Sequence, residues 1–416
     1  MCGGALLVRE YDSMAMEADE GVKRMGDRKP GLGPQNHGNW MEQSPVEPRA
    51  DHSGYFPNTE YLDADEMRVV ILGSGMPNPR KGQASAAVFV ELGNGDKFLF
   101  DIGSGSMANL GALEIPYDWV DKVFITHLHQ DHFADLPALW IGGWTGGRHG
   151  PLRVWGPSGD TPELGTRACV EGFQASMMWD VASRMGEVPS GGGAIEVHEF
   201  DYRGENQVVY EDNGVVIRSW PAVHAIDGAV SYSLEWSGLK FVFAGDTYPN
   251  KWFVEYGKDA DIAIHECFPT MDQLLEQYRF NAITAINVAT HVHTAPSAFG
   301  AIMTKINPRM AVAWHFYNDF DTRYDVYEQI RETYDGPLAM ATDLIVFNIT
   351  KDTMKVREAI VNPATWPAPP PSKPDKPDHS KLTPRSQFIN DGMLTDLVDE
   401  VVGPQVEDFK QRRGVE

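Results

Sequence analysis

The sequence predicts an α/β protein in which two mixed β-sheets are covered by helices. Three observations carry that prediction. Short β-branched and aromatic runs recur through the middle of the 416-residue chain. Hairpin-like pairs come first in each half, and strands alternate with helical stretches later. Four strands distant in sequence run straight into histidine or aspartate, at the carboxyl edge where α/β folds build their sites.

Residues 1–66 are polar and rich in Gly, Pro and acidic groups, and predict an irregular arm with Trp40, Tyr55 and Phe56 as anchors. From Met67 the pattern changes. "MRVVILGSG" reads as a strand entering a Gly turn, and "ASAAVFVELG" with "DKFLFDIG" as a hairpin around Gly93-Asn94-Gly95. "KVFIT" is a further strand, and "HFADLPALWIGGW" opens a helix. "LRVWG", "AIEVHEF", "VVIRSW", "AVSYSLEW", "LKFVFAGD", "DIAIHE", "RMAVAWH" and "ATDLIVFNI" follow as strands. "TMDQLLEQYRF", "APSAFGAIMTKI" and "RYDVYEQIRETY" have helical character. The body so defined is 67–362. Residues 363–416 hold a proline-rich linker, "WPAPPPSKPDKPDHSKLTP", and a tail with a weak helical period. Long arms at both ends either wrap another subunit, giving a homo- or hetero-oligomer, or trail as solvated tails.

The formal charge is −24, and the acidity is spread over the body. Nucleic-acid affinity rests on Lys and Arg displacing counterions, so this balance argues against a nucleic-acid partner and for a small-molecule substrate. Three cysteines give no disulfide framework. The first residues lack a signal-peptide pattern, and no apolar run is long enough for a membrane helix. A cytoplasmic protein without membrane contact is the expectation.

The polar residues at the strand ends are the main functional signal. "KVFIT" is followed by His127, His129, Asp131 and His132; His224, Asp246 and His315 follow three other strands. A wet, His-rich loop would explain the first group alone. It does not explain why independent strand ends converge on ligand chemistry. Alternate positions of an extended segment point the same way, so His127 and His129 can share one ion with His224. Asp131 and His132, where the chain turns into a helix, can address a second with His315. The Asp246 carboxylate has two oxygens and can bridge both. Imidazole and carboxylate without thiolate suit two Zn²⁺ ions, and also Mn²⁺ or Fe²⁺.

"THLHQDH" resembles the H-x-H-x-D-H motif of the metallo-β-lactamase fold superfamily, and His224, Asp246 and His315 match its remaining ligands in order. "ILGSGMPNPRKGQASAAVFVELG", "FLFDIGSGS", "VWGPSG", "AIHECF" and "THVHTAPSAFGAIMTKINPRMAVAWHF" are similar to segments of its ribonuclease Z-like, arylsulfatase-like branch, over about residues 67–350. The resemblance implies a four-layer αββα sandwich, here with extended N- and C-terminal arms, and metals at one edge of the sheets. It implies the same seven ligands, and it sets Glu266 and His293 beside the scissile group. The basic arm with which ribonuclease Z grips transfer RNA has an acidic counterpart here, 160–210, which argues against transfer-RNA processing.

A metal-activated water, oriented by Asp131, can attack an ester, a sulfate, a phosphodiester or an electron-poor aromatic carbon. His293 or Tyr248 can stabilise the charge that develops. Near the motifs stand Trp140, Trp144, Phe173, Met177, Met178, Trp179, Tyr248, Phe268, Phe316 and Tyr317. Each alone reads as packing; together they favour a small aromatic ester, sulfate or activated aryl ether. The alternatives are phosphodiesterase or ribonuclease Z-like nuclease action, and non-haem iron redox chemistry on the same fold. Cys267 reads as a small buried thiol. His37, His52, His149, His198 and His379 lie outside the pattern, and His291 reads as helix entry or an outer partner of the site.

Overall fold

A computed structural model describes residues 54–368 and 377–414. Among the described residues there are sixteen strands, some in unbroken succession and others separated by helices. In chain order they are β1 (Gly54–Tyr55), β2 (Met67–Gly73), β3 (Ala87–Leu92), β4 (Lys97–Phe100), β5 (Lys122–Phe124), β6 (Leu152–Pro157), β7 (Ile195–Phe200) and β8 (Gln207–Asp212). Then come β9 (Val215–Pro221), β10 (Val230–Trp236), β11 (Leu239–Phe243), β12 (Ile262–Glu266), β13 (Met310–Trp314), β14 (Leu338–Met340), β15 (Ile345–Ile349) and β16 (Met354–Ala359).

One sheet has nine strands in the order β1-β16-β15-β2-β3-β4-β5-β6-β7, the other seven in the order β14-β13-β12-β11-β10-β9-β8. In each, an antiparallel meander passes into a parallel run: β4 to β7 in the first, β11 to β14 in the second. Antiparallel neighbours need only a tight turn, such as Ser237-Gly238 between β10 and β11, where both residues have positive φ. Parallel neighbours need a crossover, and the helices supply it.

The faces of the two sheets meet in a core that includes Phe100, Phe124, Tyr232, Phe241 and Phe243. The outer face of the nine-stranded sheet is covered by the helix Leu136–Thr145, through Leu139, Trp140 and Trp144. The outer face of the seven-stranded sheet is covered by Pro296–Ile306 and Phe320–Arg331, through Phe299, Met303 and Ile330. These are the four layers, helix, sheet, sheet and helix, of an αββα sandwich.

Several local expectations are refined. "HFADLPALWIGGW" splits into a short helix, Gln130–Phe133, and a longer one, Leu136–Thr145. Tyr55 is buried in β1, which adds to the sheet edge at β16, so this anchor holds its own body. Trp40, and the expectations for 1–53 and 369–376, lie outside the described residues. The acidic stretch 160–210 contains the turn Pro162–Leu164, two helices, Thr166–Ser176 and Met178–Arg184, the strand β7 and the start of β8. Past the linker, Thr383 Oγ1 donates to the Ala182 carbonyl at 2.8 Å, and Thr395–Arg413 is a helix with exposed apolar side chains.

Candidate metal centre

The carboxyl ends of the strands gather at one edge of the sandwich. Asp101 follows β4; Thr126, His127 and His129 follow β5; Asp246 follows β11; Glu266 closes β12; and His315 follows β13. β9 leads to His224, and the short helix Gln130–Phe133 carries Asp131 and His132. Here the ladder bonds stop, so the backbone can turn and aim polar side chains without breaking a sheet. His315 takes a left-handed φ of 69°, a strained geometry for a side chain of this size, with its N–H held by the Ser74 carbonyl.

Seven side chains form two groups that share Asp246. In the first are His127, His129, His224 and Asp246; in the second Asp131, His132, Asp246 and His315; within each group the donor atoms lie within 4.8 Å of one another. His127 Nε2 and His224 Nε2 each lie 3.0 Å from His129 Nδ1. His224 Nδ1 is 3.1 Å from the Val292 carbonyl, which can only accept, so Nδ1 carries the proton and Nε2 turns a lone pair inward. In the second group His315 Nε2 is 3.2 Å from Asp131 Oδ2 and 3.4 Å from Asp246 Oδ1. His132 Nε2 is 3.4 Å from the same Asp246 oxygen, and its Nδ1 donates to Asp101 Oδ2 at 2.7 Å.

These residues fit divalent cations. His132 Nε2 and Asp246 Oδ1 are buried with no hydrogen-bond partner among the described residues. Acceptors that face one another in a buried place need protons or a cation between them. The electrostatics agree. Burial pulls His127 well down and His129 down, and takes His224 down to about 4, so these rings are neutral, as ligands must be. In the second group burial is outweighed: Asp246, Asp131 and Asp101 hold His132 well above the usual histidine range, and Asp246 and Asp131 raise His315. A divalent cation would replace the protons that the carboxylates draw in.

A third group, His224, Glu266 and His293, adjoins the first two. Glu266 Oε2 lies 2.7 Å from His293 Nδ1, and its Oε1 accepts the Thr247 N–H. Burial, then Asp246, pushes Glu266 well up, while burial takes His293 down to about 4. The pair therefore carries no net charge, with one proton between Oε2 and Nδ1. Phe268 stacks on the His293 ring, centroids 3.9 Å apart and planes 4° from parallel, which fixes its orientation.

The other candidates fall differently. Tyr248 is exposed; its N–H bonds the Val223 carbonyl beside His224, and none of the ligand-type side chains hydrogen-bonds its hydroxyl. Cys267 is buried, and burial pushes its thiol well up, as suits an inert packing residue. His291 is exposed and bonds its neighbour Thr290, and His198 stacks on Trp155. Sequence reasoning missed Asp101 and Thr126. Asp101 accepts the Thr126 N–H at 2.7 Å and hydroxyl at 2.8 Å besides the His132 ring, so one carboxylate ties the β5 exit to a ligand-type histidine. Its signal was present: "FLFDIG" ends an apolar strand on a carboxylate, as the ligand strands do.

The aromatic residues do not form a substrate wall. Trp140 and Trp144 are buried in the helix layer, with Phe173 packed on Trp140, and Phe316 lies in the opposite layer. Trp179 projects to solvent, and Phe268 is taken up by His293. Residues close in sequence to the motifs were thus dispersed by helices that turn away from the sheet edge.

The profile of the Beta-lactamase superfamily domain matches residues 97–316. The chain is 29% identical over 205 residues to a Ribonuclease Z of Mycobacterium marinum, covering 48% of this chain and 70% of that protein. It is 31% identical over 188 residues to a Ribonuclease Z of Mycobacterium sp. (strain KMS), covering 44% and 62%. Among solved structures, the metallo-beta-lactamase fold protein YhfI from Bacillus subtilis aligns with a TM-score of 0.52 at 17% identity, covering 68% of this chain and all of that one. The last likeness bears on the fold alone. The nuclease names of the relatives overturn the expectation, drawn from net charge, that nucleic acid is not a partner. Net charge sums the whole surface, whereas the potential at a scissile phosphate is set locally by the site and any cations it holds.

Proposed function

We propose that this chain, which belongs to the beta-lactamase superfamily, is a ribonuclease Z-like, metal-dependent phosphodiesterase acting on RNA. The observation that carries this reading is the pair of ligand groups joined at Asp246, with the His293–Glu266 pair beside them. Bound there, two divalent cations such as Zn²⁺ would supply charge for the phosphoryl oxygens and the Lewis acidity that makes water a nucleophile near neutral pH.

The chain's own groups do the rest. His127 and His224 stay neutral because burial disfavours their protonation. Asp131 accepts a proton of the attacking water and so orients it. His293, with Nδ1 committed to Glu266, turns Nε2 to the phosphate and donates to the oxygen that departs. Glu266 returns the proton to the ring. Tyr248, exposed next to His224, contacts the substrate beyond the scissile bond.

The test compares bis(p-nitrophenyl) phosphate and a single-stranded RNA with aryl ester and aryl sulfate substrates, using metal-replete and chelated protein. Phosphodiester cleavage that disappears on chelation is the expected result. Rapid hydrolysis of the ester or sulfate with both phosphodiesters untouched would overturn it.

A further inference from the structure

A cavity of about 270 Å³ opens directly from the first ligand group. His127, His129 and His224 form its floor, and Leu128, Pro157, Leu164 and Ile226 stand around it. Among the described residues no lysine or arginine lines it; the ionisable groups above the floor are the carboxyls of Glu163 and Asp227 and the thiol of Cys169. Burial pushes that thiol up to about 11, so it is uncharged at neutral pH.

The shape is built by two loops. Residues 225–229 double back at Gly228, whose φ of +127° suits only glycine, beside Ser158 and Gly159. Asp227 is held within that loop because its Oδ2 accepts the Tyr202 hydroxyl at 2.9 Å. Glu163 comes from the opposite side, on the turn Pro162–Leu164 that precedes the helix Thr166–Ser176.

We propose that this cavity holds the nucleobase next to the scissile phosphate and prefers bases with an exocyclic amino group, adenine, cytosine and guanine, over uracil. The inference rests on the phosphodiesterase reading above. Apolar walls suit the faces of a flat ring, and a volume at the lower end of ligand pockets suits one ring system with its sugar. A second phosphate is disfavoured, since two carboxylates would face it with no cationic side chain. The carboxylates are instead acceptors for exocyclic amino N–H groups. Uracil offers a carbonyl where cytosine offers the amino group, and would set an acceptor against an acceptor. The floor of imidazoles keeps the base adjacent to the groups that act on the phosphate.

Calorimetric titration of the full-length, zinc-loaded protein with AMP, CMP, UMP and inorganic phosphate tests this. AMP and CMP should bind about tenfold or more tightly than UMP and phosphate, and the gap should vanish in the Glu163→Gln, Asp227→Asn double variant. Leu164→Arg should narrow the gap between phosphate and the nucleotides by inviting the anion. Equal binding of all four ligands, or a gap that survives in the double variant, would overturn the proposal. Hydrolysis of bis(p-nitrophenyl) phosphate, which has no base, reports separately on the phosphodiesterase reading: turnover without base preference sinks only the cavity assignment, and base preference without turnover sinks only the reaction.

Discussion

At its amino end strand β4 carries Lys97, and just past its carboxyl end stands Asp101. Both belong to buried ionic clusters, but the two clusters are assembled in opposite ways. Lys97 Nζ lies 3.2 Å from Glu91 Oε1, and Arg68 Nη1 lies 3.3 Å from Glu91 Oε2. The three residues are cross-strand neighbours on β2, β3 and β4, so unlike charges alternate along the ladder. Tyr55 and Trp119 cover the cations. At the other end Asp101 begins a network in which His132 lies against the carboxylates of Asp101, Asp131 and Asp246, and beyond it the His129 ring faces the rings of His127 and His224. In one cluster each cation meets a carboxylate oxygen supplied by the chain itself. The other is complete only with cations from outside, and this difference separates a structural ion cluster from a metal centre better than burial or residue count.

The sharpest way to break that contrast is Asp246→Asn. It removes the shared carboxylate, so elemental analysis should find both ions lost, and phosphodiester turnover should fall by on the order of a thousandfold or more. If metal content and turnover survive, the two-group reading of the site fails. At the opposite end, Glu91→Gln leaves Arg68 and Lys97 buried without their counter-charge. Urea unfolding should then show a loss of about 3–5 kcal/mol with metal content unchanged.

Chelation should act only at the metal end. Removing ions held at about a thousandfold excess over Kd withdraws about 4 kcal/mol, and should lower Tm by on the order of 10 °C in wild type and Glu91→Gln alike. A smaller effect is expected of Asp101→Asn, which releases the His132 Nδ1–H from its carboxylate. Metal affinity should fall about 10–100-fold, measured by competition with a chromophoric chelator, without loss of the fold.

The smallest effect concerns a half-buried carboxyl in neither cluster. Burial raises Asp118 to about 6, above the value of an unfolded chain, so the folded state binds the extra proton between about pH 4 and 6. The stability it contributes is therefore complete at low pH and is lost as pH rises through 6. Asp118→Asn should stabilise the protein at pH 7 by about 1 kcal/mol, allowing for partial solvation, and should change nothing at pH 4 in paired urea titrations.

Much of the metal end was legible because its signals are local. A strand that ends on histidine or aspartate can be read from a few adjacent residues, as at "KVFITHLHQDH" and "FVFAGD". The Arg68–Glu91–Lys97 cluster was not legible, since each charge sits singly within an apolar strand and only register makes them neighbours. The same limit explains the aromatic residues: Trp140 and Phe268 are near the motifs in sequence, yet one packs under a sheet and the other stacks on His293.

The amino-acid order alone determined the ligand types, the strands that deliver them and the alternation that makes two mixed sheets, because these follow from chemistry and periodicity over a few residues. Tertiary structure decided that His224 turns Nε2 inward while Val292 holds Nδ1, that Asp101 serves His132, and that a cavity opens beside His127. Those depend on distances between segments far apart in the chain, and such distances exist only once both sheets have closed on a common core.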